Sequence, residues 1–253
     1  MQFQSQMNQM NNKTALVTGG AKGIGAAICR VLAENGYNVA INYNTSQIEA
    51  QALKAELSTS ASVEIFKADV SLSNDVEKMF SEIEKNFGGV DILVNNAGIA
   101  EQALFTDITD EMWQRMIGTN LTGAFNCCRR ALPFMISRKS GKIINIASMW
   151  GEVGASLEVH YSAAKAGLIG LTKALAKEEG LSGITVNAVS PGVVETDMLS
   201  SFTEDDKAAL KEETPLNKIG SVNDIAQMVA FLASDKADFI TGQVISVNGG
   251  YVI

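Results

Sequence analysis

Proline is scarce in this chain of 253 residues, occurring only at Pro133, Pro191 and Pro215. No Pro-, Gly- or Ser-rich stretch separates two halves, so nothing marks a linker, and the length suits one α/β domain. Cysteine is as rare: Cys29, Cys127 and Cys128 show no C-x-x-C spacing, which excludes a disulfide framework and a thiolate metal site and points to a reducing compartment. The single histidine, His160, has no other ligand types clustered around it, so no metal is expected. Basic residues are outnumbered, Lys+Arg 20 against Asp+Glu 28, a net charge of −8. Such a surface does not neutralise phosphates, which argues against nucleic-acid or anionic-membrane partners. Long apolar runs are missing too: none approaches the roughly 18 residues of a membrane span. The Gln/Asn-rich residues 1–12 lack the apolar core of a signal peptide. They read as a disordered leader or expression remnant, with Met7 or Met10 as candidate native starts, and the expected compartment is the cytoplasm.

What the chain does have is alternation. Short apolar runs at residues 15–17, 39–43, 63–66, 91–94, 142–146, 184–189 and 243–247 are separated by helical patterns at 24–35, 46–57, 73–87, 110–138, 161–179 and 222–233. Repeated βαβ units of this kind predict a doubly wound parallel sheet of seven strands, a single-domain Rossmann fold over residues 13–253. Residues 191–215 break the rhythm. They exceed an ordinary strand-to-helix connection and mix Met198, Leu199 and Phe202 with Glu204, Asp205 and Asp206. At the carboxyl end of a strand, where open α/β sheets bind ligands, this segment reads as a substrate lid; the plainer alternative is a surface loop carrying one amphipathic helix.

The first strand runs into Thr18-Gly19-Gly20-Ala21-Lys22-Gly23-Ile24-Gly25 and then a helix. Glycines there permit a sharp turn and let backbone N–H groups approach a pyrophosphate at the positive helix end. NAD sites usually place an acidic residue after the second strand to hold the ribose 2′-OH, whereas this chain has Asn42, Tyr43 and Asn44. With no carboxylate there and Lys22 nearby, NADP(H) is the expected cofactor; Lys22 as a merely solvated charge is the alternative. Tyr161 and Lys165 stand four apart on a helix and so share a face. A phenol titrates near ~10 in water, and an ammonium beside it favours the phenolate. Ser148, ending the fifth strand, is placed to hydrogen-bond a carbonyl oxygen against that phenol.

Together these residues resemble the short-chain dehydrogenase/reductase family, from Lys13 to Ile253. The matching pieces are TGGAKGIG at 18–25, Asp69-Val70, NNAG at 95–98, Asn120, Ser148, Tyr161 with Lys165, Pro191-Gly192 with Thr196, and VNGG at 247–250. The resemblance implies that Asp69 and Val70 hold adenine and that Asn96, Ala97 and Gly98 floor the cofactor cleft. It further implies that Thr196 binds the nicotinamide carboxamide and that Pro191, Gly192 and Val194 also contact the cofactor. Tyr161 would donate the proton, Lys165 would lower its pKa and hold the ribose, Ser148 would polarise the carbonyl, and Asn120 would position a water.

Within the family, NNAGI at 95–99, SAAKAGLIGLTKALAKE at 162–178 and GITVNAVSPG at 183–192 are similar to bacterial 3-oxoacyl-acyl-carrier-protein reductases, implying reduction of a small or carrier-bound ketone. Glu101, Glu158 and Ser182 depart from that branch, each removing positive or adding negative charge where an acidic carrier would dock. The run from Ser148 to Glu158 also resembles reductases of a 5-aminopentanone group on elongation factor P, whose cationic amine would pair with Glu158 and with Glu101 or Glu152. A hydroxysteroid or sugar alcohol dehydrogenase and a non-catalytic dinucleotide sensor are the other readings. Trp150 and Met198 are expected to line the substrate pocket, Trp113 to serve helix packing, His160 to lie on a pocket wall or the surface, and Cys127 and Cys128 to be buried. A face of Ala163, Ala166, Gly167, Gly170 and Ala174 suits close helix approach, and the family commonly forms tetramers through this helix, so a homotetramer is expected.

Overall fold

The structure is a computed structural model that describes residues 13–196, 199 and 202–253. Its strands are β1 (Thr14–Val17), β2 (Asn38–Tyr43), β3 (Val63–Lys67), β4 (Ile92–Asn95), β5 (Gly141–Ile146), β6 (Ile184–Pro191) and β7 (Val244–Val247). They form one seven-stranded sheet in the order β3-β2-β1-β4-β5-β6-β7, and all its pairings are parallel. The seven expected strands are thus present, with ends shifted by one or two residues.

Alternation along each strand builds a core on each face of the sheet. Ala15, Val17, Ile41 and Val94 face α1 (Gly23–Glu34) and the last long helix, where Ile28, Leu32, Ile225 and Val229 are wholly buried. Leu16, Leu93 and Ile143 face the opposite way onto Phe80, Ile83 and Met135. Between β2 and β3 lies α2 (Gln47–Leu57), and between β3 and β4 lies α3 (Ser73–Phe87), which ends on the left-handed Gly88.

The helix expected over residues 110–138 is interrupted. It comprises α4 (Asp110–Ile117), a π turn (Gly118–Thr122) and α5 (Gly123–Arg138). At Gly123 a Cβ would stand 2.6 Å from Val70 Cγ2, so the chain passes too close to the end of β3 for any side chain there. A wider turn carries Asn120 inward, and nothing in the apolar periodicity signals it. A short α6 (Trp150–Val153) follows β5, and α7 (Val159–Glu179) begins two residues before Tyr161. Within residues 191–215 lies α8 (Glu204–Glu213), opened by a Thr203/Asp206 capping box and burying none of its own residues. The last long helix is α9 (Val222–Ala233).

Cys29, Cys127 and Cys128 are buried free thiols, and burial pushes all three up, Cys128 to about 12. Trp113 is less enclosed than helix packing requires, being 41% exposed. No helix among the described residues is long and apolar enough to cross a membrane.

Candidate active site

The order of the sheet reverses between β1 and β4, and the crevice at their carboxyl ends is lined by the turn at residues 18–25 and by residues 95–98. Thr18 pins the two together, its Oγ1 accepting from the backbone N–H of Asn96 and of Ala97, both at 3.0 Å. Asn96 Nδ2 donates back to the carbonyls of Thr18 (2.9 Å) and Gly19 (3.0 Å). Space explains the glycines: a Cβ on Gly25 would lie 2.3 Å from Gly19 O, and Gly19 has φ +59°. Lys22, at the N-cap of α1, gives the helix no side-chain cap, so the first-turn N–H groups are left for a ligand. Across the crevice, Thr196 Cγ2 would lie 3.8 Å from a Cβ on Gly23, which brings the segment after β6 over the turn. These features fit the pyrophosphate and nicotinamide of a dinucleotide.

Asn42 stands behind this wall. It is buried, its Oδ1 accepts from Gly19 N at 3.2 Å, and its Nδ2 donates to the carbonyls of Phe66 (3.3 Å) and Ala68 (3.1 Å). The expectation that Asn42 faces the adenosine ribose is therefore corrected: it shapes the turn from inside. Tyr43 is likewise buried, against Ala21 and Ala50, and Val70 lies in the core. Of that set Asn44 and Asp69 remain at the surface, joined at 3.2 Å. Sequence reasoning missed a carboxylate: Glu49, in the first turn of α2, pairs with Lys22 Nζ at 2.6 Å.

At the other end of the crevice β5 delivers Ser148, and α7 delivers Tyr161 and Lys165. Ser148 is buried, accepts from Trp150 N at 3.2 Å and stands close enough to the Tyr161 hydroxyl to draw its pKa down. Burial raises the Tyr161 phenol to about 12; Ser148 opposes this and the Glu158 charge adds to it. Lys165 donates to the carbonyl of Ile146 at 2.8 Å and sits 5.6 Å from the Tyr161 ring centre; burial lowers it to about 8. Burial is the largest of the influences on the phenol, which is held as an acid. Asn120 is saturated by protein groups: Nδ2 donates to Ile99 O (3.0 Å) and Met116 O (3.1 Å), and Oδ1 accepts from Ile99 N (3.3 Å). A Cβ on Gly98 would lie 2.7 Å from Asn120 Oδ1 and 3.6 Å from Lys165 Nζ, so the floor must be glycine.

A family model described as enoyl-(acyl carrier protein) reductase matches residues 19–252. The chain belongs to the short-chain dehydrogenase/reductase family. Among its relatives, a 3-oxoacyl-[acyl-carrier-protein] reductase of Staphylococcus epidermidis is 47% identical over 241 residues, covering 94% of this chain and 98% of that one. An acetoacetyl-CoA reductase of Rhizobium meliloti is 45% identical over 243 residues, covering 94% and 98%. A solved structure from Agrobacterium tumefaciens, provisionally designated a gluconate dehydrogenase, superposes with a TM-score of 0.92 at 34% identity, covering 96% of this chain and 98% of that one. As a member of the short-chain dehydrogenase/reductase family, the protein is an oxidoreductase acting on a CH–OH or C=O group.

The substrate side of this dehydrogenase/reductase site differs from the sequence expectation. Glu101 pairs with Arg115, so it is not a bare charge awaiting an amine. Glu152 turns away, accepting from Ser190 Oγ at 2.5 Å and Ser246 Oγ at 3.3 Å. Glu158 precedes α7 and accepts a long bond from Gln102 Nε2 at 3.4 Å. Trp150 packs edge-on against Tyr251, ring centres 5.9 Å apart, and Tyr251 bonds Glu213 of α8. The carboxyl-terminal residues thus reach Trp150 and α8, which local patterning did not reveal. Met198 lies outside the described residues. His160 is wholly buried and neither ring nitrogen has a partner among them, so a surface position is overturned.

Proposed function

We propose that the protein reduces the ketone of a 3-oxoacyl thioester, with NADPH as donor. The observation that carries the reading is the Tyr161 phenol, buried and protonated beside Ser148, with Lys165 Nζ 5.6 Å from its ring centre. When bound, the nicotinamide supplies the hydride. Ser148 and Tyr161 both reach the carbonyl oxygen, and Tyr161 delivers the proton as the alkoxide forms. Lys165 supports this from below, near Gly98 and the Tyr161 ring. Asn120 fixes the loop at Ile99, with any water held through that loop. Lys22 in the glycine turn supports a preference for the 2′-phosphate. The relatives named as 3-oxoacyl-carrier-protein and acetoacetyl-CoA reductases, matching nearly end to end, support the thioester.

Residues 191–215 act as the lid in this reading. Their start lies over the glycine turn, and their end is tied to the carboxyl terminus by Leu216 N donating to Gly249 O at 3.2 Å. Ala163, Ala166, Gly170 and Ala174 are exposed along α7 rather than packed on the sheet, which supports assembly through this helix as a homotetramer. The buried free thiols support a reducing, cytoplasmic setting.

A second reading, an amine-bearing ketone, is favoured by one observation: the charge of Glu158 is felt at the Tyr161 phenol. Turnover with NADPH on acetoacetyl thioesters, aminoketones and hydroxysteroids tests both. A kcat/KM at least tenfold higher for the thioester supports the first reading, and the reverse order for aminoketones overturns it.

A further inference from the structure

We propose that Glu49 is a cofactor-discriminating residue: its carboxylate holds the Lys22 ammonium in the free enzyme and competes with the 2′-phosphate of NADP(H) for it. The inference rests on the reading above that Lys22 recognises that phosphate. The two side chains meet at 2.6 Å, and each is nearly half exposed, so the pair borders the crevice rather than the core. The Lys22 bond holds the Glu49 carboxyl below the usual carboxylate range. Lys22 stands at the N-cap position of α1 and Glu49 lies in the first turn of α2, so the pair bridges the ends of the two helices that follow β1 and β2.

Two consequences follow from charge alone. A dianionic phosphate entering beside Lys22 meets a carboxylate already there, which costs affinity through repulsion and through the ion pair it must share or break. A ribose 2′-OH meets no such opposition, because a carboxylate accepts a hydrogen bond from it. Glu49 therefore narrows the gap between NADPH and NADH that Lys22 opens. Sequence inspection does not find it, since it lies beyond the second-strand end where acidic residues are normally sought.

The test is equilibrium binding, read by nicotinamide fluorescence for NADPH and NADH and by calorimetry for adenosine 2′,5′-bisphosphate against 5′-AMP, in wild type, Lys22→Ala, Glu49→Gln and Glu49→Ala. An exposed ion pair of ordinary strength predicts that both Glu49 variants tighten NADPH and the bisphosphate by about threefold to fivefold. NADH and 5′-AMP should stay level or weaken, and the gain should shrink in about 1 M salt, where screening reaches ~3 Å. If Lys22→Ala weakens NADPH but neither Glu49 variant tightens it, the discriminating role is overturned while the NADPH reading stands. If Lys22→Ala leaves NADPH and NADH bound equally to wild type, the NADPH reading fails and the inference fails with it.

Discussion

Between β1 and β4 the crevice wall is backbone, fixed by glycines, peptide N–H groups and the bonds that Thr18, Asn42 and Asn96 make to main-chain atoms. The facing wall, from Glu101 through Glu158 to Tyr251, is held by side chains meeting side chains: Glu101 to Arg115, Glu152 to Ser190 and Ser246, Tyr251 to Glu213 and Trp150. The first wall has little room to change, because added atoms meet backbone at 2.3–2.9 Å. On the second, exposed ion pairs are each worth about 0–1 kcal/mol and can be exchanged one at a time. A shared cofactor and varied substrates are what these two materials suit.

The walls meet at Tyr161, and the largest effect is expected there. Tyr161→Phe keeps the ring and removes the proton, so kcat should fall by about a thousandfold, within the range for general acid catalysis, while dinucleotide binding measured by fluorescence stays nearly unchanged. Near-normal turnover would show that the proton comes from elsewhere.

Next comes a direct contrast of the walls. Gly25→Ala places a Cβ against Gly19 O, and an overpacking cost of roughly 2 kcal/mol or more should weaken dinucleotide binding about thirtyfold. Glu101→Gln, on the other wall, should change the dissociation constant by less than about twofold, as expected of a surface pair. Similar losses in both variants would end the distinction between a rigid and an exchangeable wall.

The same difference decides what could be read in advance. Gly19 and Gly25 answer to local backbone geometry, which imposes a residue type at a fixed spacing, so the glycine turn and the seven strands are legible in the sequence, whereas Gly98 answers to Asn120 and Lys165. Glu49 with Lys22, Glu101 with Arg115 and Tyr251 with Trp150 are pairings across 27, 14 and 101 positions, which no periodicity encodes. Asn42 shows the intermediate case. Its position at the end of β2 is legible, but which way the side chain turns depends on the carbonyls of Phe66 and Ala68. The π turn at Asn120 is hidden for a similar reason, since the close approach of Gly123 beside it is to Val70, in the turn after β3 and 53 positions away.

Lys165 tests the junction through pH. Its folded value, about 8, lies below the unfolded value, so the unfolded chain holds more protons between them and stability rises with pH across that window. The cost of burying the ammonium is full below about pH 8. Lys165→Met should therefore abolish turnover yet raise stability to urea at pH 7 by on the order of 1–3 kcal/mol, a gain that fades toward pH 10.5. Wild-type reduction should decline above about pH 8 as Lys165 loses its charge, while Tyr161, at about 12, stays protonated. A flat profile from pH 7 to 10 would contradict this assignment.

Asn42→Asp would convert the cofactor preference only if the side chain faced the ribose. Buried beneath the turn, an aspartate would face two carbonyl oxygens without an N–H to offer them, which costs about 1–3 kcal/mol. The expected outcome is a lower urea midpoint with both cofactors weakened together. A clean reversal toward NADH with unchanged stability would return Asn42 to the ribose.

The smallest effect is expected at Glu158, where the substrate wall is most open to exchange. Its charge acts on Tyr161, so Glu158→Gln removes an influence that raises the phenol while keeping an Oε1 that can accept from Gln102. The change unfolds nothing, because the residue precedes α7 without capping it through its side chain. With a neutral acetoacetyl thioester, KM should stay within about twofold, the scale of an exposed charge at ordinary salt. With an aminoketone the same variant loses an ion partner, and KM should rise about fivefold if that class is the natural substrate. Carrier-bound substrate moves the opposite way: an acidic carrier is repelled by Glu158, so the variant should hold or gain turnover. Assaying all three substrates with both enzymes gives each reading its own pattern, and an unchanged aminoketone KM beside improved carrier-bound turnover would remove the amine reading while leaving the backbone-built cofactor wall untouched.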